Sequence, residues 1–147
     1  MIFFNQQFRD FLSLLQKHNV EYILVGGYAV NLYGYARSTG DMDILIGRSN
    51  ENGKNLMNAI REFGYNPEPL EKKNFETELL VFHIGEPPFQ IDIMNKILGL
   101  EFKEIYGRVK YFEIEGLNVP VIGLNDLKYT KSVMPRSKDL NDLENLP

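Results

Sequence analysis

The chain has 147 residues, no cysteine and a formal net charge of −4, which allows one domain and excludes disulfides and thiolate metal sites. Its composition, 44% hydrophobic and 24% charged, is that of a soluble globular protein, and the acidic balance argues against nucleic-acid binding over the whole surface. No apolar run approaches the roughly 20 residues that span a membrane, and residues 1–7 lack a signal-peptide pattern. We therefore expect a cytoplasmic protein without a membrane partner, forming a single domain over residues 1–147.

Hydrophobic periodicity divides the chain into interleaved helices and strands. Helical spacing, with Asn50 as a capping residue and stops at Gly34 and Gly64, predicts helices over 5–18, 28–33, 50–63, 125–133 and 137–146. Apolar runs predict strands over 21–25, 42–46, 77–84 and 89–93, and a hairpin of 109–114 with 117–121. Residues 66–74 are predicted to form a loop. This arrangement, with some antiparallel pairing, predicts an α+β or α/β-like fold.

Two aspartates one residue apart, Asp41 and Asp43, stand out in this pattern. Alternate residues of a strand face the same side, about 6.6 Å apart, so both carboxylates face one way while Met42, Ile44 and Ile46 face the core. Two carboxylates held close repel each other by roughly 4 kcal/mol at 4 Å and an effective dielectric near 20. A divalent cation between them would relieve this repulsion, and such oxygen-rich sites suit magnesium. The alternative is an exposed polar strand face at a sheet edge.

A glycine pair, Gly26-Gly27, follows the first predicted strand and precedes a predicted helix. Glycine lets backbone amides approach a ligand closely, and a helix N-terminus favours phosphate. Taken alone, such a pair more commonly marks a tight strand-to-helix turn. Placed ahead of the two aspartates, it becomes a candidate phosphate cradle.

A third carboxylate, Asp92, lies in another apolar strand. Its apolar neighbours are predicted to lie on the opposite face: Phe89, Ile91 and Ile93. If this strand neighbours that of the aspartate pair, Asp92 would complete a two-cation site or accept the proton of an attacking hydroxyl. Otherwise it is a lone polar residue on a strand face. His83, which alternates with Phe82, is expected to be a structural histidine rather than a catalytic one.

The sequence resembles the nucleotidyltransferase superfamily of the DNA polymerase β type, through the runs VGG at 25–27 and RSTGDMDI at 37–44. The signature of that superfamily is a hydrophobic residue, Gly, Gly or Ser, a spacer, then Asp-hydrophobic-Asp-hydrophobic, with a later carboxylate that Asp92 matches. Within the superfamily, these runs are most similar to the lincosamide and aminoglycoside nucleotidyltransferases. The resemblance implies a twisted mixed β-sheet flanked by helices.

The same resemblance implies transfer of a nucleotidyl group from a nucleoside triphosphate to a hydroxyl. It implies Mg²⁺, or Mn²⁺ in its place, held by Asp41 and Asp43 with Asp92 as the third carboxylate. The residues that it would bring to the nucleotide are Gly26, Gly27, Arg37 and Thr39. Arg37 would grip a phosphate through two parallel hydrogen bonds, or would instead pair with a surface carboxylate.

The C-terminal segment 131–143 is similar to a Lys…Arg-x-x-Asp-Leu-x-Asp segment of abortive-infection toxin nucleotidyltransferases. This match implies that Lys131 faces the triphosphate and that Asp139 helps to build the nucleotide site. The alternative is that Asp139 complements the dipole in the first turn of its helix and that Lys131 is a solvated helix residue.

Three functions fit these residues. The first is a nucleotidyltransferase acting on a hydroxyl of a small molecule, an RNA end or a protein, with a homodimer completing the acceptor pocket because the chain is short. The second is an inactive member of the fold that binds a nucleotide or a partner, as half of a toxin–antitoxin pair. The third, metal-dependent phosphodiester hydrolysis, does not explain the glycine pair.

Overall fold

The computed structural model describes residues 5–36, 39–133 and 137–147. The strands in these ranges are β1 Tyr22–Val25, β2 Met42–Ile46, β3 Val81–Ile84, β4 Ile91–Met94, β5 Lys110–Ile114 and β6 Leu117–Val121. The helices in these ranges are α1 Gln6–Lys17, α2 Gly26–Leu32, α3 Asn50–Glu62, α4 Glu68–Glu71, α5 Phe102–Tyr106, α6 Leu124–Ser132 and α7 Ser137–Asn145. The helices of the described chain are all too short or too polar to cross a bilayer.

The six strands form one mixed sheet in the order β3-β4-β2-β1-β6-β5. The pairs β1–β2, β3–β4 and β5–β6 are antiparallel, whereas β2–β4 and β1–β6 are parallel. This confirms the predicted α+β class and the mixed sheet flanked by helices. Strand β2 lies inside the sheet, with β1 on one side and β4 on the other.

Helices α1 and α3 contact each other, α1 contacts β6, and their buried side chains join those of the sheet in one hydrophobic core. Asn5 caps α1 by accepting a hydrogen bond of 2.8 Å from the Phe8 amide, and the apolar stripe of this helix is fully buried: Phe8, Phe11, Leu12 and Leu15. The predicted inward residues of β2, Met42, Ile44 and Ile46, are also fully buried. Burial of each such side chain contributes about 1.5–3 kcal/mol, so this core anchors β2 and fixes which way its polar residues point.

The predicted helices over 5–18, 50–63, 125–133 and 137–146 agree with the structure to within one residue at each end. The helix predicted over 28–33 begins two residues earlier, so the glycine pair forms its first turn instead of preceding it. The cap of α3 is Ser49 and not Asn50, because the Ser49 hydroxyl accepts the hydrogen bond of the Asn52 amide at 3.0 Å. Short helices α4, in the predicted loop, and α5 were not predicted.

Two strands depart from their predicted ranges by more than one residue. The strand expected over 77–84 begins only at Val81, because the Glu78 amide turns back to the Asn74 carbonyl at 2.8 Å and the Asn95 side chain accepts from the Leu80 amide at 3.0 Å. The strand expected over 89–93 runs from Ile91 to Met94. Phe89, predicted to face the core, sits in a turn closed by its amide on the Glu86 carbonyl and is half exposed.

Candidate active site

Two aspartates predicted to share a site lie side by side in the sheet. Asp43 on β2 and Asp92 on β4 are directly paired in the parallel ladder. Asp41 immediately precedes β2, and the alternation of the strand places it on the same face as Asp43, opposite to buried Met42 and Ile44. The predicted adjacency of the two carboxylate strands is therefore present in the fold.

The carboxylates act on one another electrostatically. Burial raises the pKa of Asp43 from its ordinary 3.8 to about 6, with further increases from the charges of Asp92 and Asp41 and a hydrogen bond with Asp92, while Lys131 opposes the shift. Burial, followed by repulsion from and hydrogen bonding with Asp92, also raises the pKa of Asp41, and the charges of His83 and Lys138 oppose it. The carboxylates of Asp41, Asp43 and Asp92 therefore form a cluster of negative charge that the sheet alone does not neutralise.

The glycine pair lies against this cluster. Gly26 has a φ of +71°, in the region where residues with a Cβ are strained. A Cβ at this position would overlap the carboxylate group of Asp43. Gly26 therefore has a second reason to be glycine besides its backbone conformation, namely the close approach of α2 to β2.

The two residues predicted in the C-terminal segment, Lys131 and Asp139, contact each other. Its ammonium group is buried and lies 3.2 Å from an oxygen of Asp139 and 3.2 Å from an oxygen of Asp142. The view of Lys131 as a solvated helix residue is therefore wrong. Its positive charge is still felt by Asp43, whose pKa it lowers against the effect of burial, so α6 and α7 bring a cation to the edge of the carboxylate cluster.

His83 and Gln90 join the site although the sequence did not single them out for it. His83 pairs with Asp92 across β3 and β4, and His83 Nδ1 lies 2.6 Å from Asp92 Oδ1. Gln90 Nε2 donates to the same Asp92 oxygen at 2.6 Å. The available signal was that Gln90 and Asp92 alternate on one predicted strand, but the cross-strand partner of His83 is a matter of register.

Of the remaining predicted site residues, the structure describes Thr39 and Gly27 but not Arg37. Thr39 lies half-buried in the loop that leads to β2, and Gly27 is buried in the first turn of α2. Arg37 lies outside the described residues, so its role stays a prediction.

A cavity of about 660 Å³ lies at the end of β1 and β2 opposite to the carboxylates, beside Glu21 and Gly47. It is not part of the carboxylate site.

The donor chemistry of the cluster suits a hard divalent cation, because carboxylate oxygens are the ligands that magnesium and manganese prefer. Across the described residues, no three His, Asp or Glu side chains form a ready-made ligand set. The side chains of Asp41, Asp43 and Asp92 interact as neighbours without converging on one point. The pKa values of Asp41 and Asp43 are raised first by burial and then by neighbouring carboxylate charge, which a cation would offset.

Comparison with known proteins agrees with this geometry. Residues 5–146 match the family described as "Nucleotidyltransferase of unknown function (DUF6036)". The chain belongs to this nucleotidyltransferase family. The match includes every candidate site residue, from the glycine pair to Asp142, and confirms the superfamily that the runs at 25–27 and 37–44 indicated.

Solved structures confirm the fold of this nucleotidyltransferase. The lincosamide antibiotic adenylyltransferase LnuA, solved with lincomycin bound, is similar with a TM-score of 0.64 at 16% identity, covering 97% of this chain and 95% of that one. A Thermotoga maritima protein assigned as a nucleotidyltransferase gives 0.61 at 14% identity, covering 93% and 88%. ANT(2")-Ia in complex with adenylyl-2"-tobramycin gives 0.56 at 15% identity, covering 93% and 83%. No curated protein sequence matches the chain.

Proposed function

We propose that this nucleotidyltransferase moves a nucleoside monophosphate from a nucleoside triphosphate to a hydroxyl of a small molecule, with Mg²⁺ or Mn²⁺ held by Asp41, Asp43 and Asp92. The observation that supports the proposal best is the direct pairing of Asp43 with Asp92 in the sheet. Repulsion between these carboxylates adds to the effect of burial, which raises the pKa of Asp43 to about 6. Excess negative charge of this kind is retained at a functional site more readily than in a purely structural sheet.

Asp41, Asp43 and Asp92 would be the ligands of the cation. When bound, a divalent cation lowers the pKa of an acceptor hydroxyl and offsets the charge of a triphosphate. In the reaction, the hydroxyl oxygen bonds to the α-phosphorus, the bond to pyrophosphate breaks and the hydroxyl proton passes to water. We assign Asp92 to the ligand set instead of the general-base role, because His83 and Gln90 both contact one of its oxygens and Asp43 is its direct neighbour in the sheet.

Charge and space beside the carboxylates would serve the nucleotide. Lys131 would oppose the negative charge of the triphosphate, with Asp139 and Asp142 fixing its position. Gly26 keeps the first residue of α2 free of a side chain where it meets Asp43, and Gly27 is the buried residue that follows it. Arg37 and Thr39 stay in the proposal through the sequence resemblance alone.

A small-molecule acceptor is favoured over an RNA end or a protein. The proteins of similar fold include one solved with lincomycin and one solved with an adenylylated tobramycin. The net charge of −4 also gives RNA no general attraction to the surface. A second copy of the chain completing the acceptor pocket stays a prediction.

Pyrophosphate release tests the proposed function. Each of the four ribonucleoside triphosphates is supplied with Mg²⁺ or Mn²⁺ and a panel of hydroxyl compounds that includes lincosamides and aminoglycosides, and products are identified by mass spectrometry. We expect one acceptor to gain a nucleotidyl group, and Asp41→Asn and Asp43→Asn to abolish the gain while Asp10→Asn, on the exposed face of α1, keeps it. Nucleotide binding without pyrophosphate release across the panel, RNA and protein acceptors included, would indicate a binding module instead.

A further inference from the structure

His83 makes its contact with the carboxylate cluster from outside it. The residue lies on the edge strand β3 with its side chain 58% exposed, whereas the Asp92 side chain that it contacts is only 16% exposed. Core packing therefore does not explain why an imidazole occupies this position. Its shorter side-chain contact is with Asp92 at 2.6 Å, and Gln90 Nε2 lies 3.4 Å from the same imidazole nitrogen.

The geometry of this contact defines which atom donates. With the Asp92 oxygen as acceptor and the imidazole as donor, the proton of His83 in this contact is on Nδ1. Gln90 Nε2 donates to the same oxygen, Oδ1, also at 2.6 Å. Two contacts on one oxygen, from His83 on β3 and from Gln90 beside β4, restrict rotation of the carboxylate group and leave its other oxygen, Oδ2, without a contact from these two side chains.

We propose that His83 is a positioning residue, which together with Gln90 holds the Asp92 carboxylate in the orientation that serves the cation. The inference rests on the proposed function, since it assigns Asp92 to the ligand set. Hydrogen-bond partners of metal ligands hold those ligands in orientation. Removing such a partner typically lowers metal affinity or activity by about 10–100-fold. His83 acts through Asp92 and touches no reacting atom.

Manganese affinity, measured without nucleotide by electron paramagnetic resonance or calorimetry, tests this role. His83→Ala is expected to weaken Mn²⁺ binding by about tenfold or more, with the Tm close to that of the wild type because the side chain is exposed. His83→Asn places an amide donor near the position of Nδ1 and is expected to restore affinity to within about threefold of the wild type. The chain has one other histidine, and His18→Ala, which removes an imidazole bonded to Glu62, is the matched control and is expected to change nothing.

Three results would overturn the inference. One is wild-type affinity in His83→Ala, and another is an His83→Asn protein as weak as His83→Ala, since the hydrogen bond would then not be what matters. The third comes from ¹⁵N NMR of the two imidazoles in the metal-free protein, where His83 must carry a proton on Nδ1; a proton on Nε2 alone contradicts the geometry. A wild-type protein that binds no Mn²⁺ contradicts the proposed function as well, and this result is distinct from the other three.

Discussion

At the scale of single residues, Gly26 and Asp43 depend on each other. Gly26 combines a φ of +71° with a position where a Cβ would overlap the Asp43 carboxylate. We predict that Gly26→Ala destabilises the protein by more than the about 1–3 kcal/mol that a left-handed conformation costs a non-glycine residue, because the overlap adds to that cost. Urea denaturation measures the loss.

Gly34 supplies the control for this prediction. It follows the same helix with a φ of +108°, and a Cβ there would meet nothing within 4 Å. Gly34→Ala should therefore show the backbone cost alone. A loss in Gly26→Ala no greater than the about 1–3 kcal/mol of the backbone alone would mean that the overlap with Asp43 has no energetic weight.

Asp43 should make stability depend on pH in an unusual direction. Its pKa is raised from 3.8 to about 6, so between about pH 4 and pH 6 the folded state binds more protons than the unfolded state. The contribution of Asp43 to the free energy of unfolding is then greatest at low pH and falls as the pH rises through 6. At neutral pH this raised pKa corresponds to a cost of about 3 kcal/mol in the free energy of unfolding.

Asp43→Asn removes this cost, so in EDTA at pH 7.5 the variant should be more stable than the wild type by about 1–3 kcal/mol. At pH 4.5 the difference should shrink. Asp10→Asn, on an exposed helix face, should change stability by less than about 0.5 kcal/mol at either pH. If Asp43→Asn gives the less stable protein at pH 7.5, the carboxylate stabilises the fold and was not kept for a ligand.

At the scale of elements, Lys131 joins α6 to α7. The buried ammonium lies between Asp139 and Asp142 of the last helix, and removing one partner of a buried ion pair typically costs about 3–5 kcal/mol. Both carboxylates have further contacts, so we predict a loss of about 3 kcal/mol for Lys131→Met, at the lower end of that range. Hydrogen exchange should show the loss first in α7.

Lys128→Met is the matched control, since it makes the same chemical change in the same helix at a half-buried position. We expect it to cost less than about 1 kcal/mol and to leave exchange in α7 unchanged. If the two variants are equally stable, Lys131 does not hold α7 in place.

The predicted site depended on a strand pairing that the sequence could not supply. Alternation put Asp43 and Asp92 on defined strand faces, because burial has the period of the strand. Nothing in the sequence stated that β2 and β4, far apart in the chain, are neighbours and parallel, since pairing is decided by the packing of the whole sheet. The same gap hid His83, whose role depends on lying opposite Asp92.

Short elements were the other misses. Helix α5 has five residues, too few for a periodic pattern, and such helices form through tertiary packing. Strand β3 begins later than predicted because the side chain of Asn95 accepts a hydrogen bond from the Leu80 amide, which a longer strand would use. Side-chain competition of this kind leaves no periodic trace in the sequence.

At the scale of the whole molecule, the sheet separates two regions. The carboxylates and Gly26 lie at one end of β1 and β2, and the cavity beside Glu21 and Phe102 lies at the other. We predict that a nucleoside triphosphate with Mn²⁺ slows hydrogen exchange in α2 and β2, but not in α5. Protection concentrated in α5 would place the nucleotide in the far cavity and remove the carboxylates from its binding site.

The most direct test of the account is calorimetric titration of the protein with each nucleoside triphosphate in the presence of Mg²⁺. We expect saturable binding by the wild type that weakens by about a hundredfold or more in Asp41→Asn and Asp43→Asn, since each change removes a proposed ligand of the cation. Binding that survives in both variants would contradict a nucleotide site built on a cation held by these carboxylates.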